Sequence, residues 1–597
     1  MGNFEIYAKY ERLKKLDTNF NRALLINIFA LSLVLLCCDL KYEVSDDFVM
    51  STIVSGAYGK GRNPHLIFSN IFLGYILLPF YKIFPRISWY FVMHIAVVFI
   101  SSTTVTFFLI ERLERMKASM LSAFLILFFS NDMYILVQFT KTAMFAVMAG
   151  SLLFLDALFY GKSKRRMITG GALCVVGTWI RYSVIYMAGG FLILILIYEG
   201  FRIIRGTTDK GILRKKFSKI VISGFVLIGF AYGSNEINSY IYRNNDDYAF
   251  FNNYRVARSR IVDYVDYGYE TYARELKEIG VSENDYYMMK KWCFADNDFF
   301  SLERMQKTAE IIISHNKEQW SGWEDLIERV QDRKITNYPI VWANILLVFI
   351  GIFLNYEKVW TSVLSNGIGW IYILYFFIRD RLVYRTEFAV FLGIFLCGIY
   401  FWSRTDKDDQ QSRIIKKSCA MITILILAMR GIVYLPDRTY QNVIAENKKE
   451  YLDRMFFESW NYDARKYRKV INRIEDKNGI LGEIHDNKEN FYFLDFNTTI
   501  QSLYYEWNPW KTCNDGEFEN YLYLAGVTSN YPDVVKILED RKLENPLKQL
   551  ADKDVYLVDN YYVDLKINYL REHYYPEARA ELQKEIDGYQ IWKIYEE

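Results

Sequence analysis

The chain has 597 residues, with 72 Lys and Arg against 69 Asp and Glu, for a net charge of +3. That balance, without a basic stripe of interleaved aromatics, excludes nucleic acid as a partner. Mean hydropathy is close to zero, but the average hides long apolar runs separated by two polar blocks, roughly 237–337 and 436–597.

Aromatic residues make up 17% of the chain. Tyr and Trp suit a membrane interface, where the ring sits in the apolar zone and the polar tip in water. The seven cysteines form no CxxC motif and no Cys/His cluster at zinc spacing. Cys293 and Cys513 are the two that lie in the polar blocks, and the pair that could bridge.

A helix needs about 20 mainly apolar residues to cross a bilayer. Such runs appear near 21–40, 87–110, 118–138, 142–160, 166–183, 184–200, 218–236, 338–355, 359–378, 386–403 and 418–435. The first is followed by Cys37-Cys38-Asp39-Leu40-Lys41, which is no small-residue cleavage site, so it reads as an anchor rather than a signal peptide. A further apolar stretch, 65–83, is decided by the charges, since Lys and Arg favour cytoplasmic loops. Lys9, Arg12, Lys14 and Lys15 put the N-terminus inside. The later basic loops, Arg112 to Lys117, Lys162 to Arg166, Arg202 to Lys219 and Arg404 to Lys417, also fall inside only if 65–83 lies flat on the outer surface.

The expected fold is therefore an α-helical polytopic membrane protein of about eleven transmembrane helices. A transmembrane module covers 1–236, with a first external loop at 41–86. An external, mostly helical loop domain covers 237–337, with Glu and Lys spaced along 272–278 and 303–317. The last transmembrane helices cover 338–435. An external C-terminal α/β domain covers 436–597, with strands at 491–495 and 555–558 and helices at 463–476 and 576–587. The expected location is the cell membrane, with a cytoplasmic N-terminus and an external C-terminus.

The first external loop reads Tyr42-Glu43-Val44-Ser45-Asp46-Asp47-Phe48. A carboxylate held within hydrogen-bond reach of an acceptor hydroxyl can act as general base. The same residues could equally cap a helix over 46–58, with Ser45 as N-cap and both aspartates at its positive end. After them come Asn63-Pro64-His65-Leu66 and the surface helix.

This order of parts resembles the GT-C superfamily of membrane glycosyltransferases. Its members carry an acidic pair early in the first external loop, then a short Pro-containing segment and a juxtamembrane helix. The large external loop after the seventh span is similar to that of protein O-mannosyltransferases and lipid A aminoarabinose transferases. The likeness is architectural and covers about 1–340. The chain departs from those two subfamilies in having Asp-Asp for Asp-Glu, and Asn-Pro-His for a Pro-Pro pair.

The resemblance implies an inverting transfer of a sugar from a polyprenyl-phosphate donor to a hydroxyl of a glycan, lipid or protein acceptor. Asp46 would be the base, and Asp47 would orient the acceptor or tune its neighbour, since adjacent like charges raise one pKa. Asp132, where the superfamily often has an acid, could position the acceptor or simply form a turn. Some members need a divalent ion and others do not; one Asp pair without a third clear ligand points towards no metal and no cofactor.

A donor phosphate needs cations at the outer face. Candidates are Lys141 and Arg181 at external helix ends, Arg430 near the outer end of the last apolar run, and His65. The short loop from Arg379 to Arg385, with Arg381 between them, breaks the positive-inside pattern. Arg forks match phosphate oxygens in a bidentate way, whereas snorkelling to headgroups is the plain alternative. If a helix starts by 381, Arg381 and Arg385 share one face. His94 reads as a packed, hydrogen-bonded residue, and Asp246, Asp247, Asp263 and Asp266 read as solvated. Asn497-Thr498-Thr499 fits a glycosylation sequon, a pattern common by chance.

The alternative is a transporter or flippase of a lipid-linked glycan. It would show paired repeats and charges at mid-bilayer, neither of which the sequence has. A non-enzymatic scaffold for surface polymer would leave the acidic pair and the Arg loop without a role. The chain has no phosphate-binding glycine loop, which argues against a nucleotide-sugar donor.

Overall fold

The computed structural model describes residues 18–38, 40–59, 61–161, 163–207, 209–263, 267–318, 327, 339–354, 356–379, 381–402, 479–496, 507–513, 516–524, 526–586 and 588–597. The apolar run 418–435, with Arg430, lies outside the described residues, as do the helix expected at 463–476 and the sequon at 497–499.

The ten other apolar runs are all helical. They are α1 (Asn19–Cys37), α4 (Trp89–Arg112), α5 (Arg115–Phe128), α6 (Phe139–Phe159), α7 (Lys164–Ile180), α8 (Val184–Gly206), α9 (Lys210–Arg243), α14 (Pro339–Leu354), α15 (Tyr356–Ile378) and α16 (Tyr384–Trp402). Seven of these are long and apolar enough to cross a membrane, the pattern of a multi-pass membrane protein. The remaining three, α5, α7 and α14, have 14, 17 and 16 residues. Helix α5 falls short of the expected 118–138 because the chain turns into a π-helical turn at Asn131–Ile135 and then strand β2 (Leu136–Val137). Strand β2 pairs in parallel with β1 (Lys41–Tyr42).

Ion pairs mark one end of the bundle. Asn19 at the start of α1 bonds Glu111 at the end of α4, and so does Arg166 in the first turn of α7, at 2.5 Å. Arg112 pairs with Asp156 near the end of α6 at 2.6 Å and donates to the Tyr400 carbonyl near the end of α16. The opposite end carries everything else. There the apolar stretch after Pro64 forms a short helix, α3 (Ile71–Ile83). Its start donates backbone N–H bonds to the Trp179 carbonyl and the Asn238 side chain, late in α7 and α9. Its last turn reaches Tyr90 at the start of α4 through the Tyr81 hydroxyl. Both ends of α3 therefore lie on one side, as expected of a helix that does not cross.

Two assemblies cover that side. One is helical: α10 (Asp246–Val262), α11 (Tyr269–Glu278), α12 (Glu283–Lys290) and α13 (Leu302–Glu318). The other is the C-terminal domain. After α17 (Ile480–Asp486) come β3 (Phe491–Asp495), β4 (Tyr521–Leu524), α18 (Pro532–Arg541), β5 (Val555–Val558), α19 (Val563–His573), β6 (Arg579–Ile586) and β7 (Tyr589–Tyr595). The sheet order is β4-β3-β5-β7-β6, with the first three strands parallel. Those three read as near-continuous apolar runs because both faces are covered.

The helix expected at 576–587 is instead strand β6 in a hairpin with β7. Its alternating charges suit an edge strand facing water; Ile586 pairs with Tyr589, and Gly588 takes φ 84°, as a glycine does in a tight hairpin. Cys293 and Cys513 are separate thiols.

Helices α6 and α7 pack backbone to backbone. A Cβ on Gly150 would lie 2.5 Å from the Gly170 carbonyl oxygen, and one on Gly170 2.6 Å from that of Gly150. Small residues at such a crossing let two backbones approach without side chains between them. Gly150→Val should therefore force the pair apart and cost about 1–3 kcal/mol. Thermal unfolding in detergent would read this as a lower midpoint; an unchanged midpoint would mean that the crossing is not a tight constraint.

Candidate functional site

The acidic pair opens α2 (Ser45–Ser55). Val44, not Ser45, is the N-cap, and no side chain caps it; Asp46 and Asp47 favour the helix start through the exposed N–H groups and the dipole. Neighbouring residues on a helix point about 100° apart, so the two carboxylates part company. Asp46 faces a cavity of about 1650 Å³ at the covered end of the bundle. Asp47 is fully buried. It accepts from the Tyr90 hydroxyl at 3.0 Å and from the Phe139 N–H at the start of α6 at 3.3 Å. His94 packs beside it, Nε2 to carboxylate 3.7 Å, with no hydrogen bond to either ring nitrogen. Burial, and then the charge of Asp46, raise the Asp47 pKa well above the ordinary value.

The cavity is walled by α2, the loop before α3, the ends of α7, α9 and α15, the starts of α8 and α16, and α10. Among the described residues its lining holds six arginines and three carboxylates, a clear positive excess. Arg385 in the first turn of α16 lies 3.8 Å from Asp46, and Arg381 pairs with Asp263 at 2.7 Å. Helix α16 begins at Tyr384, so Arg381 lies in the preceding turn rather than on a shared helix face. Arg181 caps the end of α7 over the Phe139 ring at 4.8 Å. Burial, followed by the nearby Arg385, lowers its pKa to about 10, which leaves it charged at neutral pH.

The other sequence candidates stand elsewhere. Lys141 is buried between Glu43 at 2.5 Å and Asp132 at 3.3 Å, and Tyr384 donates to Asp132 at 2.7 Å. Paired carboxylates already satisfy this lysine, and neither it nor Asp132 lines the cavity. His65 stacks on Tyr248 at 3.9 Å and bonds Asn63. Burial lowers its pKa to about 4, so the ring is neutral and offers a phosphate no charge. Arg379 is exposed, its guanidinium 5.8 Å over Tyr375, and is not in the lining. Asp246 and Asp247 are solvated as expected; Asp263 is not, because it pairs with Arg381.

Two arginines escaped the sequence reading. Arg255 and Arg258 lie on α10 and line the cavity with Asn252, Ser259 and Val262, one face at helical spacing. The signal was available: arginines in a block expected outside depart from the positive-inside pattern, as the 379–385 loop does.

The lateral wall is aromatic and apolar. Tyr186 on α8 and Ile371 and Tyr375 on α15 line the cavity while 67%, 67% and 54% exposed, so the cavity opens sideways between these helices. Phe496 and Val527, at the carboxyl ends of β3 and β4, line it from above.

Asp285, Glu572 and His573 are close enough to share a cation. They pin α12 to α19, with His573 to Asp285 at 2.7 Å, and none lines the cavity. No protein-family model, curated protein or solved structure matches the chain, so the reading of this site rests on its own chemistry.

Asp47 yields a pH prediction. Its pKa is raised on folding, so the stability it lends is full below the ordinary carboxylate value near 3.9. That stability is lost as pH climbs through the raised folded value. Asp47→Asn should melt at a temperature less sensitive to pH across this window than wild type. Asp47→Ala should lose about 1–3 kcal/mol, because the Tyr90 and Phe139 donors lose their acceptor. Parallel melting profiles for wild type and Asp47→Asn would show that another group titrates.

Proposed function

We propose that the protein is a GT-C-type inverting glycosyltransferase acting on the outer face of the cell membrane. It would move a sugar from a polyprenyl-phosphate donor to a hydroxyl of a glycan, lipid or protein acceptor. The observation that carries this reading is the pairing, in one cavity, of a carboxylate with an arginine cluster beside an apolar lateral opening.

The chemistry follows from the parts. The lipid chain lies between α8 and α15, and the phosphate enters among Arg181, Arg381 and Arg385. Asp46 accepts the proton of the acceptor hydroxyl. The acceptor oxygen then bonds to the anomeric carbon from the face opposite the phosphate. The carbon–oxygen bond to the phosphate breaks, and its electron pair leaves with the polyprenyl phosphate. The guanidiniums stabilise the charge that develops there. Asp47 is a positioning residue that fixes the first turn of α2.

Asp46→Asn should lower transfer about 10²–10⁴-fold with donor affinity nearly unchanged. Transfer at the wild-type rate would leave Asp46 a helix-end charge and nothing more. Arg381→Ala or Arg385→Ala should weaken binding of a polyprenyl-phosphate sugar, followed by calorimetry in detergent. Lys should rescue only in part, lacking the fork. Unchanged affinity in the folded Arg181/Arg381/Arg385 triple alanine variant would remove the donor site.

The orientation is tested by single cysteines at the exposed positions Lys277 and Glu585. Both should react with an impermeant thiol reagent added to intact cells. Protection of either would overturn the outward-facing cavity.

A further inference from the structure

The arginines of the cavity fall into two sets. Arg381, Arg385 and Arg243 each have a carboxylate close by: Asp263, Asp46 and, at 3.9 Å, Glu236. Arg181, Arg255 and Arg258 have none within ion-pair distance among the described residues. Asp46 and Asp263 act on them only from beyond that distance; a guanidinium withdrawn from water without a carboxylate in contact is costly, so three together are a feature to be explained.

They form a connected row. The Phe68 ring lies under both Arg181 and Arg255, at 5.8 and 5.9 Å. Arg258 follows Arg255 one turn along α10. Arg255 sits electrostatically between the other two, since its charge contributes to lowering the pKa of each. Arg258 is only 4% exposed, and the Nε atoms of both Arg255 and Arg258 are buried without a hydrogen-bond partner.

Arg258 is also firmly held. It donates to the Gly526 carbonyl at 2.9 Å and lies 4.9 Å over the Trp292 ring, which stacks on Phe496 at 5.4 Å. Trp292 adopts φ 65°, a left-handed conformation that costs a bulky residue energy and persists where the surroundings enforce it. Gly526 has φ 89°, and a Cβ there would meet Phe496 at 2.2 Å. A strained tryptophan and an obligatory glycine thus fix one buried cation facing the cavity.

We infer that the cavity binds a diphosphate group, with one phosphate among Arg181, Arg381 and Arg385 and the second on Arg255 and Arg258. The lining holds six arginines against three carboxylates; a monophosphate diester brings one negative charge to that excess, whereas a diphosphate diester brings two and spans the row. For the lipid-linked form this rests on the donor reading above and narrows it from a sugar phosphate to a sugar diphosphate. Trp292 and Gly526 are positioning residues for Arg258, which makes the C-terminal domain part of the site.

The test is titration of the full chain in detergent with a polyprenyl diphosphate, the matching monophosphate and inorganic diphosphate, with chelator present. The diphosphate lipid should bind at least about tenfold tighter than the monophosphate, as expected when Arg forks gain further charge-assisted bonds. Arg255→Gln/Arg258→Gln should abolish that preference while leaving monophosphate affinity nearly unchanged. Gly526→Ala should reduce the preference without touching monophosphate binding. If the double variant does not fold, Arg255→Gln, whose side chain is half-buried, carries the same test. Equal affinity for the two lipids, or a preference that survives the arginine variants, overturns the inference and spares the lipid-donor reading. Binding of inorganic diphosphate with neither lipid bound has the opposite consequence: the diphosphate site stands, its ligand comes from solution, and the lipid-donor reading falls. Failure of all three ligands to bind overturns both.

Discussion

Charge taken out of water has to meet opposite charge within a few ångströms or be held in place by the surrounding fold. That constraint sorts the ionisable residues at the covered end of this bundle. Lys141 meets Glu43 and Asp132 and becomes part of the core. Arg381 and Arg385 meet Asp263 and Asp46 at the cavity wall. Arg181, Arg255 and Arg258 meet no carboxylate at ion-pair distance among the described residues, so their charge is directed at the cavity. The distinction between cations paired within the fold and cations left facing the cavity is not one of residue type, since Arg appears on both sides. It is one of whether the neighbour is acidic.

The short β1–β2 pairing decides which acid faces which way. Its register places Lys41 opposite Leu136 and Tyr42 opposite Val137, and the Glu43 N–H continues it onto the Val137 carbonyl. Glu43 is thereby brought to Lys141, and the first turn of α2 begins directly after it. From that fixed start, Asp46 projects to the cavity and Asp47 to the core. A shift of one residue would put Asp46 against Tyr90, move Asp47 to the buried place that Phe48 holds beside Trp507, and leave Ser45 at the cavity. Two strand residues on each side thus set the orientation of the whole turn.

Much of this architecture was legible in the sequence because it follows from hydrophobic length. Ten apolar runs became ten helices, and the apolar stretch after Pro64, set apart by the charge pattern, became a helix of 13 residues with both ends at one end of the bundle. What failed were boundaries and local exceptions. The 576–587 segment alternates charge as an exposed edge strand does, and its long polar side chains also suit a helix surface; the Asp-Gly pair in the sequence at 587–588 is the deciding signal. In the site, Asp46, Arg181, Arg381 and Arg385 were identifiable because they sit at helix ends beside apolar runs. Lys141 and His65 have the same position, but their partners, Glu43 and Tyr248, come from distant segments that linear reading cannot bring together. Arg255 and Arg258 were missed for the converse reason: they look like ordinary charges on a solvated helix until α10 is folded over the cavity.

A preorganised cluster of like charges has to be maintained by stability gained elsewhere. Here that support lies in the docking of the C-terminal domain. Tyr569 and Tyr574 both donate to Asp296, His573 bonds Asp285, Asn63 bonds Asp533, and the Tyr531 hydroxyl donates to the His65 carbonyl. Tyr58 stacks on Phe518 at 4.6 Å, and the Trp510 carbonyl accepts from the Ser88 N–H at the start of α4. These contacts tie the domain both to the helical block and to the first loop, the two segments that carry Arg258 and Asp46. The carboxyl ends of the parallel strands, where α/β sheets usually offer a ligand site, are thereby turned onto the cavity. At those strand ends Phe496 and Val527 close a cavity whose charges come from the helices below. The domain's distance in sequence from the acidic pair therefore says nothing of its role, because the force it exerts on the site is applied through one carbonyl, one stacked ring and the arginine clamped between them.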